Sequence, residues 1–319
     1  MRQSIAAKFG LGAEYARSIY KGGAYSTFFN DLRASARDNG FMALVGEIGA
    51  GKTTLFNDVA SSLQQTIIVR VRSLDKEGMR INSIVNAIIF DLSNEGPRHN
   101  FEARSRQANR LLGEAVVNDG RKIWLVIENA HRLHWKTILS LKELREMDFA
   151  GRSPLFGICL VGQTPLIGKI ERLKEIYLRM DFTVMNAANG WMDEKDRQDY
   201  LRFLYGDLLT RNMRSNIAYA NETPLEMKAC VESAMERAYY AGRSLQESDF
   251  EVSLKTLKEK LNLSYREIGQ LAGHDRSTVA KVITGANTNP EIQRAVKEAL
   301  RKAAQRNGGE TKSQYRKVI

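Results

Sequence analysis

The sequence predicts an α/β fold built on a parallel sheet, followed by helical additions. Five short apolar runs carry that reading: Phe41 to Val45, Thr66 to Val71, Ile123 to Ile127, Leu155 to Val161 and Asp181 to Met185. They alternate with helical patterns, as buried parallel strands do when crossover helices join them. From Met192 onward the strand signals stop. A chain of 319 residues and 36.0 kDa is long enough for one sizeable core plus one or two helical appendages. The expected division is an α/β domain over 1–190, a helical segment over 191–254, a compact all-α unit over 255–306 and a basic, disordered tail over 307–319.

Composition narrows the class further. Hydrophobic residues make up 43% and prolines number only five, which fits a packed protein, while 48 Lys/Arg against 37 Asp/Glu leave a net charge of +11. An excess of that size points to a polyanionic partner, and the stretch from Glu291 onward holds eight Lys/Arg against three Glu. Two cysteines, Cys159 and Cys230, give neither a disulfide framework nor a zinc quartet, so a reducing cytoplasm is expected. No apolar stretch approaches the roughly 20 residues that span a bilayer, and the N-terminus has no signal-type apolar region; no membrane association is expected.

The first strand runs into "GEIGAGKTT", Gly46 to Thr54, ahead of a helical pattern. This fits G-x-x-x-x-G-K-[ST], the P-loop. Gly46, Gly49 and Gly51, with Glu47, Ala50, Thr53 and Thr54, wrap backbone N–H groups around the β-phosphate of ATP at a helix N-terminus. Lys52 reaches the β and γ oxygens and the Thr53 hydroxyl reaches Mg²⁺.

Such a loop needs an acid on the metal side, delivered by another strand. "IWLVIENAH", residues 123 to 131, ends in Glu128-Asn129 where an Asp and a Glu are usual. Glu128 is the candidate for the Mg²⁺ water shell. Asn129 orients a water but cannot take its proton, so hydrolysis is expected to be slow, by about 10²–10⁴-fold for a missing general base. His131 and His134 read as surface or packing histidines. After the fourth strand, Gln163 in "CLVGQTPL" is the candidate polar sensor of the γ-phosphate if the strand order is that of an AAA+ ATPase, and Arg179 in "YLRMDF" is the candidate arginine finger for a neighbouring subunit's site.

"GEIGAGKTTL", "LVIENAHRLH", "LKELREMD" and "LVGQTPLIGKI" resemble, in order and spacing, the AAA+ proteins that include the Mu phage target-selection ATPase MuB and the ExeA-type ATPases, with TnsC-type transposition regulators more distant. The resemblance covers about 20–254 and implies a P-loop AAA+ parallel sheet with a helical lid. It also implies an ATP-dependent DNA-binding protein that assembles with itself into filaments or rings on double-stranded DNA and directs a transposase. Where many AAA+ lids carry Gly-x-x-Arg, this chain has "NETPLEMK", residues 221 to 228, without an arginine.

"LSYREIGQLAGHDRSTVAKVITG", residues 263 to 285, reads as a helix-turn-helix. Ser264 and Glu267 form a capping box, Ile268 and Leu271 face a core, Gly273 permits the turn and Asp275 caps a second helix. Val279, Val282 and Ile283 pack, while Arg276, Ser277, Thr278 and Lys281 form an exposed DNA-binding face. Further candidate phosphate contacts are Lys76 and Arg80 in "SLDKEGMRI" and Arg104 and Arg106 before the third strand. The expected function is thus an ATPase of DNA transposition, with an ExeA-type secretion ATPase, a helicase loader and a nucleotide-gated transcription regulator as alternatives.

Overall fold

The structure, a computed structural model, describes residues 3–16, 18–71, 75–186, 189–287 and 289–314. Five strands form one parallel sheet: β1 (Phe41–Gly46), β2 (Thr66–Arg70), β3 (Lys122–Glu128), β4 (Gly157–Gly162) and β5 (Asp181–Met185), in the order β2-β3-β4-β1-β5. Every position of β1 and β4 is buried, which explains why they read as unbroken apolar runs rather than alternating ones. The helices are α1 (Gln3–Lys8), α2 (Tyr25–Arg37), α3 (Lys52–Ser62), α4 (Ile81–Leu92), α5 (Phe101–Gly113), α6 (Trp135–Arg145), α7 (Pro165–Glu171), α8 (Lys174–Tyr177), α9 (Glu194–Tyr205), α10 (Arg211–Ala220), α11 (Pro224–Tyr240), α12 (Leu254–Lys260), α13 (Tyr265–Ala272), α14 (Arg276–Ile283) and α15 (Pro290–Gln314).

Strand register sets where chemistry can happen. Val45 pairs with Gly162, Gly46 with Met185, and Glu128 with Val161, so the carboxyl ends of β1, β3 and β4 finish along one edge. Neighbouring strands lie ~4.8 Å apart, which places Glu128 about two strand spacings from the end of β1. In open α/β sheets ligands bind outside this edge, where connections leave in opposite directions. The core beneath it joins the sheet to its helices through Val45, Val69, Ile84, Ile88, Leu125, Ile127, Leu141, Leu160 and Leu166 among others.

The chain divides into two compact units. One comprises 10–206 and 222–229; the other comprises 1–9, 207–221 and 230–319. The helices read as one lid segment are therefore shared out: α9 and the first turn of α11 group with the sheet, whereas α10 and most of α11 group with the C-terminal helices.

Within the second unit, α12 to α15 enclose a small core of Leu257, Ile268, Val279, Val282, Ile283, Val296 and Leu300. The capping box of α13 is present, with the Glu267 N–H donating to Ser264 Oγ and the Ser264 N–H to Glu267 Oε2. Gly273 adopts φ 72° at the C-cap, a backbone region where a side chain is strained, and Asp275 accepts from the N–H groups of Ser277 and Thr278.

Two expectations are corrected here. Leu271 is 49% exposed; the inward stripe of α13 is Tyr265, Ile268 and Ala272, spaced by three and four, which leaves Leu271 off the buried face. Helix α15 runs to Gln314. Residues 315–319 lie outside the described residues. On α14, Arg276, Ser277 and Lys281 are exposed, but Thr278 is half-buried and its hydroxyl donates to Asp275.

Candidate nucleotide site

The turn between β1 and α3 is built by close packing as much as by sequence. A Cβ on Gly46 would lie 2.9 Å from the Met185 carbonyl oxygen at the end of β5, and one on Gly49 would lie 2.4 Å from Leu225 Cβ in the first turn of α11. Gly49 and Gly51 also hold φ of 82° and 96°, where other residues are strained. The Leu225 N–H donates to the Gly49 carbonyl at 3.3 Å. Gly51 is the N-cap of α3 and brings no side chain to the free N–H groups of the first turn, which leaves those donors for an anion.

Lys52 closes over this turn, its Nζ donating to the carbonyls of Gly46 at 2.8 Å and Glu47 at 2.7 Å. Burial pushes its pKa down and the Glu47 carboxylate partly opposes that. Glu47 in turn accepts a hydrogen bond from the Thr164 hydroxyl, tying the loop to the segment after β4. Thr53 and Thr54 are exposed at the start of α3.

A cleft of about 550 Å³ opens beside the loop, lined by Gly49 to Leu55 and by residues that no motif signalled: Ile19, Tyr20, Tyr25, Trp191, Tyr200 and Lys228. Trp191 is 8% exposed, its Nε1–H donates to the Ala50 carbonyl at 2.9 Å, and its ring meets Phe28 edge-on at 5.1 Å. The segment crossing the cleft is anchored through Asp58 on α3, which accepts from Tyr25 Oη at 2.6 Å and pairs with Lys21 at 2.7 Å. Lys228 is half-buried, with its ammonium 5.2 Å from the Tyr15 ring centroid. It puts a cation from α11 on the cleft although the lid sequence lacks an arginine. An apolar, aromatic cleft leading to a cluster of amide donors and two lysines suits a nucleoside joined to a polyphosphate.

Glu128 ends β3, half-buried, and Asn129 follows at φ 55° and ψ 34°. Asn is among the few side chains that tolerate this left-handed geometry, so its presence has a backbone reason alongside any role toward water. The Thr53 hydroxyl and the Glu128 carboxylate form an oxygen donor set of the kind that suits Mg²⁺ bound largely through phosphates and water. Among the described residues no group of three or more His, Cys, Asp or Glu gathers into an all-protein metal cage.

Gln163 follows β4, the strand between β1 and β3, so the strand order is the one its sensor reading requires. Its backbone N–H donates to His131 Nδ1 at 3.3 Å, while Lys169 on α7 donates to the carbonyls of His131 and Leu133 at 2.5 and 3.0 Å. Burial, then the charges of Lys169, Arg132 and Lys52, hold the His131 pKa below its ordinary 6.5. Neutral His131 is thus a structural link between the ends of β3 and β4, a role the sequence did not signal.

Arg179 precedes β5 at the amino edge of the sheet and pairs with Glu146 at 2.5 Å. The phosphate loop leaves the opposite edge, so Arg179 does not serve its own chain's loop. Lys76, expected to contact DNA, is 7% exposed and donates to the Val71 carbonyl at 2.8 Å. It belongs to the interior, because burial against its own loop satisfies the ammonium where a phosphate contact needs it free. Arg104 donates to the carbonyls of Arg98 and His99 at 3.1 and 3.0 Å. Arg106 pairs with Glu102 on the helix surface, and Arg80 is exposed at the start of α4.

Fold and site together define a P-loop domain of the AAA+ kind: a five-stranded parallel sheet, a Gly-rich turn into a helix, and an acid at the end of the strand two places away. Residues 35–170 match the AAA domain family. Among solved structures, Cdc6p of Pyrobaculum aerophilum is similar with a TM-score of 0.55 and 13% identity, over 95% of this chain and 90% of that one. A Walker-type ATPase of Pyrococcus abyssi gives 0.45 and 13%, over 87% and 88%. The Drosophila origin recognition complex bound to DNA gives 0.35 and 16%, over 50% of this chain and 89% of that one. At 13% identity the likeness to Cdc6p is one of fold. A comparison with curated proteins found no match.

The lowered pKa of His131 gives a signed expectation. Folding favours the neutral ring, so its contribution is complete above pH 6.5 and is lost as pH falls from there toward the lower folded value. Urea denaturation across pH 5 to 8 should show less acid-side loss of stability in His131→Asn than in the unsubstituted protein, with parallel curves as the opposing result.

Proposed function

We propose that this chain is an ATPase that binds Mg·ATP, hydrolyses it slowly and uses the nucleotide to assemble with itself on double-stranded DNA, where it serves a transposase in DNA transposition. The observation that carries the ATP part is the convergence of the Gly46–Thr54 turn, Lys52 and Glu128 on one edge of the sheet, beside an aromatic cleft of nucleoside size. Support for DNA comes from the +11 net charge and from Arg276, Ser277 and Lys281 exposed on α14, which we read as the second helix of a helix-turn-helix. The transposition reading rests on the motifs that resemble MuB and the ExeA-type ATPases; the AAA domain match is broader than that. Arg179 is assigned to a neighbouring subunit's site, since it stands at the edge of the sheet away from its own loop.

The exposed face of α14 also favours a second reading, a nucleotide-gated regulator that binds one operator. The two differ in sequence preference: a transposition ATPase coats any duplex, a regulator protects one site. On the first reading, DNA affinity in filter binding requires ATP and falls steeply with salt, because several Lys/Arg displace counterions from the backbone. Equal affinity with and without nucleotide contradicts it.

Asn129 sets the expected pace of hydrolysis. Asn129→Glu should raise turnover and shorten the lifetime of the DNA complex, while lowering stability by about 1 kcal/mol because Glu tolerates left-handed backbone less well. Phosphate release that is unchanged or slower would remove Asn129 from the water-facing position.

A further inference from the structure

Arg70, the last residue of β2, lies next to the acid assigned to the metal. Its guanidinium is held on three sides. The carbon Cζ sits 4.5 Å from the Phe56 ring centroid, Nη2 donates to Asn57 Oδ1 at 2.8 Å, and Nη1 stands 4.0 Å from Glu128 Oε1. Phe56 is 1% exposed and packs on Trp124 at 5.3 Å, so the platform under Arg70 is fixed by the core. Asn57 lies four residues beyond Thr53 on the same face of α3 and lines the cleft. A second cation, buried Lys76, is close enough to Glu128 to feel its charge. Glu128 therefore works between two positive groups that neither the phosphate motif nor the strand motif predicts.

We propose that Arg70 is a positioning residue that holds the Glu128 carboxylate and competes for it with the magnesium ion, so that the metal engages Glu128 only when nucleotide phosphates also attract it. The inference rests on the reading of Glu128 as the metal-side acid. The physics is direct: at 4.0 Å the guanidinium attracts the carboxylate without closing a hydrogen bond of good length, leaving the carboxylate held yet able to turn. The stacked, amide-bonded guanidinium stays where it is while Glu128 moves, because Phe56 and Asn57 hold it independently of the acid. Arginine is suited to this because its planar group can stack and donate at the same time, and its charge does not titrate. The arrangement makes the metal's arrival depend on ATP and suppresses metal binding to the bare protein.

The test is the Mg²⁺ concentration that half-saturates binding of a fluorescent ATP analogue, measured at fixed nucleotide with the full chain. Arg70→Gln, which keeps a donor for Asn57 and removes the charge, should lower that midpoint by about two- to fivefold, the worth of a half-exposed ion pair. Arg70→Lys should keep it within about twofold of the unsubstituted value, and in a Glu128→Gln background Arg70→Gln should have no effect beyond about twofold. Thermal melts without nucleotide show which variants are folded; if Arg70→Gln is not, the Arg70→Lys and Glu128→Gln single variants decide, the first expected near the unsubstituted midpoint and the second above it. An unchanged or raised midpoint in folded Arg70→Gln overturns the proposal, as does an equal shift in the Glu128→Gln background or a Lys variant that behaves like Gln. Analogue binding by the unsubstituted protein that ignores Mg²⁺ overturns the metal reading itself, and the proposal with it.

Discussion

The α/β unit depends on how tightly the turn after β1 is clamped. Its backbone is pressed between the end of β5, where the Met185 carbonyl leaves no room for a Cβ on Gly46, and the first turn of α11, where Leu225 leaves none on Gly49. That clamp holds the N–H groups at the start of α3 open to one side and gives Lys52 a fixed place above them. It also makes the turn a junction. The Trp191 indole reaches the Ala50 carbonyl, Thr164 reaches Glu47 and Leu225 reaches Gly49, so the segments that meet the loop are the ones that would register whether phosphate lies in it.

A second layer of the site concerns charge. Glu128 stands beside Arg70 and close enough to Lys76 to act on its charge. Asn129 is held in a left-handed turn, which leaves the chain without a carboxylate at the position where a base is usual. On the reading proposed for Asn129, such a site binds its nucleotide better than it cleaves it.

What the sequence made legible follows from how local each feature is. The glycine turn, the strands, the capping box at Ser264 and the turn at Gly273 are written in contiguous residues and could be read directly. The aromatic wall was not, because Tyr20, Tyr25, Trp191 and Tyr200 reach the cleft from segments outside the loop, and nothing in their neighbourhoods marks them. Lys76 misled because a lysine between polar residues is usually exposed, whereas here it folds back on Val71. Leu271 misled because two apolar positions three apart fit a stripe equally well on either side of Ile268. Asn129 was read as chemistry alone, since its positive φ is invisible until the strand end is seen.

The central claim is that the clamped turn is an ATP site with Lys52 as its side-chain cation. Titration calorimetry of Mg·ATP into the protein and into Lys52→Ala tests it directly. One nucleotide per chain for the unsubstituted protein, and affinity weaker by about tenfold or more for the variant, is the predicted result, since bonds to a charged donor are worth roughly 1.5–3 kcal/mol. Equal affinity in the two proteins, or no heat of binding in either, would contradict the account.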